Sequence, residues 1–300
     1  MLPIESIRRI LAAALQNGGD LAEVYLEHND RLVLALDEGR LERATQGSDI
    51  GGGVRVFYGE TAAYAYTDDL SEESLIEAAR AAASAARGTN APRTVVDLTK
   101  RPSPVDYTIQ RPFEEMSVAD KAAYLRRMDE AARAYSPHIV SVQADYTQTS
   151  RRVWIFNSDG VWAEDDREIL EFSATVAAQR GDVRQSYRTG IGGQVGLEFF
   201  EQRDPVAMVR EAAESAVLML DARPAPAGEM PVVINNGWGG VLFHEACGHC
   251  MEADFITKGA SAYTGLVGER VGPDFLTAVD DGTMPGRRGS MRFDDEGTPA

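Results

Sequence analysis

Three hundred residues with 47 acidic and 30 basic side chains carry a formal charge of −17, and a surface of that sign repels phosphate backbones and anionic lipid, which argues against nucleic acid and membrane surfaces as partners. Hydrophobic residues at 44% and charged residues at 26% are ordinary for a globular protein long enough for two cores. No apolar run approaches the ~20 residues of a membrane span.

The first fifteen residues carry Glu5, Arg8 and Arg9 inside a helical pattern, unlike a signal peptide. Ile4, Ile7, Ile10, Leu11, Ala14 and Leu15 recur at helical spacing over 4–16, and Gly18-Gly19 ends the run. Five short strands are expected next, at 21–27, 31–37, 40–46, 52–58 and 61–67, with turns at Asn29-Asp30, Glu38-Gly39 and Gly59-Glu60. This is an antiparallel meander. Ser71 opens a helix to about Arg87, whose acidic first turn suits the helix dipole. Pro92, Pro102, Pro104 and Pro112 mark a long surface excursion over 88–112.

Ser117 starts a helix running to about Tyr135. A second set of strands is expected at 138–148, 151–157, 161–166, 168–180 and 183–191, with bends at Ser158-Asp159-Gly160 and Gly181-Asp182. Gly190, Gly192, Gly193 and Gly196 miss the dinucleotide fingerprint and read as a bulged or kinked strand. Asp204-Pro205, a cap followed by proline, opens a helix to about Leu220. The order helix, meander, helix thus occurs twice, over 4–87 and 117–220, as a structural pseudo-repeat. The Pro- and Ala-rich stretch 221–228 reads as the linker between an N-terminal α/β domain (1–222) and a second domain (229–300). Residues 230–235 read as a short buried strand feeding a helix, and 276–280 as another strand. No element closes the sequence at its end, so the chain is expected to continue beyond Ala300.

The helix after residue 235 holds the chemistry. Two of the four histidines fall in His244-Glu245-x-x-x-His249. Neutral imidazole is the commonest metal ligand. A glutamate beside the first ligand can take the proton of an attacking water, the logic of the His-Glu-x-x-His zinc hydrolases. Here the spacing is one residue longer. On a regular helix an i,i+4 pair lies about 40° apart and an i,i+5 pair about 140° apart. The two rings meet on one ion only where the helix is distorted, kinked or ended, as in a π-bulge. Gly248 would permit such a distortion. The apolar, Gly-rich run 238–243 reads as a buried helix start, and a buried His–Glu–His group needs a partner such as a metal.

A catalytic zinc takes three protein ligands. His244 and His249 supply two, and the third is either a local group (Glu252, Asp254, Glu269, Cys247 or Cys250) or lies beyond Ala300. Glu245 is the general-base candidate. Glu252, three residues after His249, suits an acceptor that orients a ligand ring, or else a charged surface residue. Cys247 reads as a small buried helix residue. Cys247 and Cys250, three apart on a helix, are poor disulfide partners, which fits a reducing, cytoplasmic setting. His28 and His138 read as exposed turn residues.

Residues 237–258, with His244-Glu245-Ala246-Cys247-Gly248-His249 followed by Met251-Glu252-Ala253-Asp254-Phe255, resemble the TldD branch of the TldD/PmbA family of zinc metallopeptidases. Gly268-Glu269-Arg270-Val271, Asp294-Asp295-Glu296-Gly297-Thr298-Pro299, Gly53-Val54-Arg55-Val56, Ala63-Tyr64-Ala65-Tyr66-Thr67-Asp68-Asp69 and Asn157-Ser158-Asp159-Gly160 extend the resemblance over most of the chain. Cys250 departs from the small residue expected there. The resemblance implies a two-domain α+β protein: an N-terminal α/β domain of meanders flanked by helices, and a β-rich C-terminal domain bearing the motif helix. It implies hydrolysis of peptide bonds in flexible or unfolded peptides, with Zn2+ on His244 and His249 and a downstream cysteine as third ligand. It also implies a heterodimer with a PmbA-type subunit lacking the metal motif, or a homodimer, with the active site in a closed chamber. Two other classes stay open: a non-catalytic scaffold subunit of a heteromeric peptidase, and a metal-dependent amidase acting on small molecules.

Overall fold

The computed structural model describes residues 2–59, 61–85, 93–237 and 239–300. The expectations placed on Glu60, Arg87, Pro92 and Trp238 lie outside these residues. The chain is mixed α+β and divides into two units, Met1–Ala222 with Asp281–Ala300, and Arg223–Asp280. The return of Asp281–Ala300 to the first unit has no counterpart in the expectation that 229–300 forms one domain.

In the first unit, helix α1 (Ile4–Ala14) is followed by strands β1 (Leu21–Asp37), β2 (Arg40–Tyr58) and β3 (Thr61–Thr67) and helix α2 (Glu72–Ala85). After the two-residue strand β4 (Thr99–Lys100), the same order recurs: helix α3 (Val118–Tyr135), strands β5 (Ile139–Asn157), β6 (Val161–Arg180) and β7 (Val183–Gly193), a short helix α4 (Phe199–Gln202) and helix α5 (Pro205–Leu218). The sheet runs β3-β2-β1-β5-β6, with β7 also on β6, so the first strands of the two halves pair at its centre. Every pairing is antiparallel except β4 with β6. The capping signals are used as chemistry requires. Ser117 accepts the Asp120 N–H, and Asp204 accepts the Val206 N–H ahead of α5.

Side chains alternate across a strand, so the even-numbered residues of β1 share one face. At one end, Ala22, Val24 and Leu26 pack with Ile7 and Leu11 of α1 and Leu75 of α2. At the other, Leu32, Leu34 and Leu36 pack with Leu125 of α3 and Val209 of α5. Between these cores the same face carries polar rows in register: Ser48, Asp30, Ser150 and Glu168, and beside them His28, Arg152 and Asp166. None of these residues belongs to either core.

That belt corrects the strand boundaries. Residues 21–27 and 31–37 form one strand, with no turn at Asn29-Asp30. Likewise 40–46 joins 52–58, 138–148 joins 151–157, and 161–166 joins 168–180. All four expected breaks lie on the polar belt. The apolar alternation lapses there because the face lies between two cores, not because the chain reverses. His28 is accordingly a strand residue, its Nε2 lying 2.8 Å from the Ser48 hydroxyl. His138 lies in a turn, as expected, and is half-exposed rather than exposed. Strand β7 carries no bulge, because its register on β6 is continuous. Its glycines serve close approach instead: a Cβ on Gly192 would stand 2.5 Å from the Leu170 carbonyl oxygen.

The opposite face is covered in part by the returning segment. Phe293 is buried with Val153, Ile155, Val161 and Ala163. Asp165, fully buried, pairs with Arg167 and Arg292, each at 2.9 Å, and accepts the Arg292 backbone N–H. Arg167 in turn donates to the Phe293 carbonyl oxygen at 2.8 Å. On the helix side, α1 and α2 are joined through Glu72. The Arg9 guanidinium and then the Ser6 hydroxyl hold its carboxyl down at about 2.

Among its described residues the second unit, Arg223–Asp280, forms short helices joined by turns and irregular chain. No strand forms at 230–235 or 276–280 among the described residues. The β-branched run there has no ladder to join, and Val233 is 96% exposed. The helix start expected to be buried is exposed at Val241 and Leu242.

Replacing Asp165 leaves two guanidiniums, only 10% and 15% exposed, without their carboxylate. Asp165→Ala is therefore expected to destabilise the first unit by about 3–5 kcal/mol in urea unfolding. A loss below about 1 kcal/mol, the range of exposed pairs, would show that the network does not hold the returning segment.

Candidate metal centre

Helix α6 (Gly239–Phe243) runs directly into a π turn at His244–Gly248 and then a 3-10 turn at His249–Met251. A π turn takes up one residue more than an α turn. The fifth step between the histidines is absorbed there, and the two rings come to face each other. Their centroids are 4.4 Å apart and their planes are inclined by 67°. Donor atoms of His244, Glu245 and His249 all lie within 4.8 Å of one another, the one such group of three among the described residues. All three side chains are exposed. Gly248 is not what permits the turn: its φ of −58° and ψ of −54° are open to any residue.

The Glu252 carboxylate lies 2.8 Å from Nδ1 of His249, and Glu245 lies 3.6 Å from Nε2 of the same ring. With Nδ1–H donated to Glu252, a neutral ring would leave the Nε2 lone pair for a ligand. That lone pair points to the side of the ring where Glu245 sits. Glu252 itself stands on no recognised helix: it links the 3-10 turn to helix α7 (Ala253–Thr257) with extended backbone. The chain leaves the helix there, which is what turns the carboxylate back onto the ring.

The other residues considered as ligands are elsewhere. Asp254 lies 3.4 Å from the Lys258 ammonium, and Asp254, Glu269, Cys247 and Cys250 all fall outside the donor group. Cys247 is half-exposed rather than buried, because no core surrounds this helix. Its thiol meets the hydroxyl of Tyr263, and that hydrogen bond raises the phenol above its ordinary range. Tyr263 had no sequence signal: it lies in an irregular stretch with no periodicity tying it to the motif.

One further histidine cluster mimics a catalytic arrangement. His28 meets both Ser48 (2.8 Å) and Asp30 (3.4 Å), but both contacts fall on Nε2. A Ser–His–Asp relay needs the carboxylate on the opposite nitrogen. The trio is therefore part of the polar belt, not a nucleophile site.

Three family models match in succession: PmbA/TldA metallopeptidase domain 1 over residues 22–86, the central domain over 111–220 and the C-terminal domain over 227–300. The metalloprotease TldD homolog of Haemophilus influenzae is 35% identical over 287 residues, covering 94% of this chain and 60% of that protein. The corresponding protein of Buchnera aphidicola from Acyrthosiphon pisum is 32% identical, covering 93% and 59%. The chain thus spans about three-fifths of the length of these relatives. Among solved structures, a Thermotoga maritima protein superposes with a TM-score of 0.79 at 22% identity, over 99% of this chain and 66% of that one. TldE from Thermococcus kodakarensis superposes at 0.71 and 19% identity, over 99% and 65%. At these identities the superpositions speak to fold alone. The chain belongs to the PmbA/TldD metallopeptidase family.

Proposed function

We propose that this chain carries the zinc site of a metallopeptidase that cleaves peptide bonds in flexible or unfolded peptides. The observation behind the reading is the π turn, which gathers the donor atoms of His244, Glu245 and His249 within 4.8 Å. Two neutral imidazoles suit Zn2+, and a catalytic zinc site keeps one position open. His244 and His249 would hold the ion, which supplies Lewis-acid polarisation of the scissile carbonyl. The third ligand is proposed to lie outside the 300 residues, in the length that the relatives carry beyond the matched span. By family resemblance it is a cysteine.

Glu245 works as the proton carrier. Its carboxylate is exposed, stands beside the imidazole pair and, among the described residues, is engaged by no guanidinium or ammonium that would hold it in place. It takes a proton from the attacking water and passes it to the departing amine nitrogen, which returns the carboxylate to its starting state. Glu252 is a positioning residue. It accepts the Nδ1–H of His249 and so fixes which nitrogen faces the ion.

Several features support the wider setting. The relatives are named metalloproteases. Pairing with a PmbA-type subunit, or with a second copy, is proposed from membership of the family. Among the described residues no helix is long and apolar enough to cross a membrane. With two free cysteines close to the donor group, a reducing cytoplasm is the compartment proposed.

Glu245→Gln is expected to keep its zinc by mass spectrometry while hydrolysis of an unfolded peptide falls by about 10²–10⁴-fold. Activity within tenfold of the parent would remove Glu245 from the role of base. Glu252→Gln is expected to weaken zinc affinity by about 10–100-fold, measured by competition with a chelator. An unchanged affinity would make Glu252 a surface residue only.

A further inference from the structure

Strand β2 contains three successive glycines, and two of them are explained by packing. A Cβ on Gly52 would strike Leu26 and Leu75 at 2.8 Å, on the helix-bearing face. A Cβ on Gly53 would strike the Tyr64 ring at 2.4–2.8 Å, on the other face. Gly51 has no such reason. A Cβ there would meet only the Thr67 carbonyl oxygen, at an ordinary 3.5 Å, and its φ lies outside the left-handed region. A glycine within a strand, without a bulge, commonly marks close approach of a ligand or another backbone.

Gly51 lies on the floor of a trough. Two adjoining clefts, of about 280 and 470 Å3, share Tyr25, Glu27, Gly53 and Tyr64. The trough lies on the sheet face opposite the helices, since Gly51 is paired with Glu27, Gly53 with Tyr25 and Tyr66 with Gly53. One wall is aromatic. Tyr64 and Tyr66 are 62% and 80% exposed, with rings stacked 6.2 Å apart. Strand β3, which bears them, is the outermost strand on that side of the sheet.

The charge around the trough is unbalanced. Glu23, Glu27, Asp49 and Asp295 line it beside Arg55 and Arg151, and Asp295 also stands 3.6 Å from Arg167, which leaves Asp49 as the carboxylate with no cation in ion-pair contact among the described residues. Arg55 is already held by Glu23 at 2.7 Å and by Glu296 at 2.8 Å. Arg151 stands 3.5 Å from Glu27. The Tyr25 hydroxyl donates to Glu27 at 2.6 Å. Burial first, then that bond and the charge of Asp295, push Tyr25 far up its range, as a negative surrounding requires.

We propose that this trough binds an arginine or lysine side chain of an extended peptide laid along β3, with the cation against the Tyr66 ring and the carboxylate of Asp49. The edge strand offers main-chain hydrogen bonds to the peptide, and the trough supplies the side-chain pocket. Exposed tyrosine faces and the carboxylate of Asp49 together select a cation over a neutral chain of equal length. None of these residues belongs to the donor group of His244, so binding does not require a metal or hydrolysis.

The test uses the whole chain with EDTA present and two fluorescent nonapeptides, identical except for a central arginine or norleucine. Anisotropy is expected to show the arginine peptide binding at least about fivefold more tightly, with the margin shrinking at high salt. Gly51→Val fills the floor and is expected to abolish the preference. Tyr66→Ala, at a solvent-exposed ring, is expected to reduce it about two- to fivefold without affecting the fold. Equal affinity for the two peptides, or a preference that survives both substitutions intact, overturns the proposal.

Discussion

Two imidazoles five positions apart meet only where a helical turn takes in an extra residue. In this chain the turn His244–Gly248 does so. The facing of the two rings follows from that distortion. Glu245, four residues before the second histidine, lies 3.6 Å from its ring, as i,i+4 neighbours on a helix do. The helix then tightens into a 3-10 turn and ends, and Glu252 at that end reaches back to the far nitrogen of His249. A regular helix would send the two rings about 140° apart. The longer spacing is therefore not a weakened version of His-Glu-x-x-His. It is a different helix geometry carrying the same three groups.

The first unit obeys a different constraint. Four strands of 17 to 20 residues cross it, and two helix pairs rest on one face, one pair over each end. The two cores are continuous with the sheet but not with each other, and the polar belt between them is where strands cross from one core to the next. On the reverse face, a buried carboxylate with two guanidiniums holds the returning segment by charge and by main-chain hydrogen bonds. A buried charge without such partners would be costly, which makes the geometry of that network specific.

Much of this was legible in the sequence, and the failures share a cause. The motif residues, the helix caps at Ser117 and Asp204 and the twofold recurrence of elements followed from spacing and residue type. So did the need for a distorted turn. The expected strand breaks at 28–30, 47–51, 149–150 and 167 do not exist, and these intervals neighbour one another in the sheet. A polar interval in a strand carries the same signal whether the chain turns or only passes between two cores. Sequence cannot separate these without knowing which strands are neighbours. The apolar run at Val232-Val233-Ile234 misled in the opposite way: its composition suits a strand, but a strand needs a partner edge. Gly248 suits a distorted turn by type, but its torsion angles are open to any residue, and nothing in the sequence separates Gly51, a strand glycine without a packing reason, from Gly52 and Gly53, which have one.

The convergence of His244 and His249 is the claim on which the functional account stands. X-ray absorption of the zinc-loaded protein reads it directly. Two imidazole scatterers at about 2.0 Å are expected in the parent, falling to one in His249→Ala. A spectrum with no imidazole, or with one that survives the loss of His249 unchanged, would contradict it.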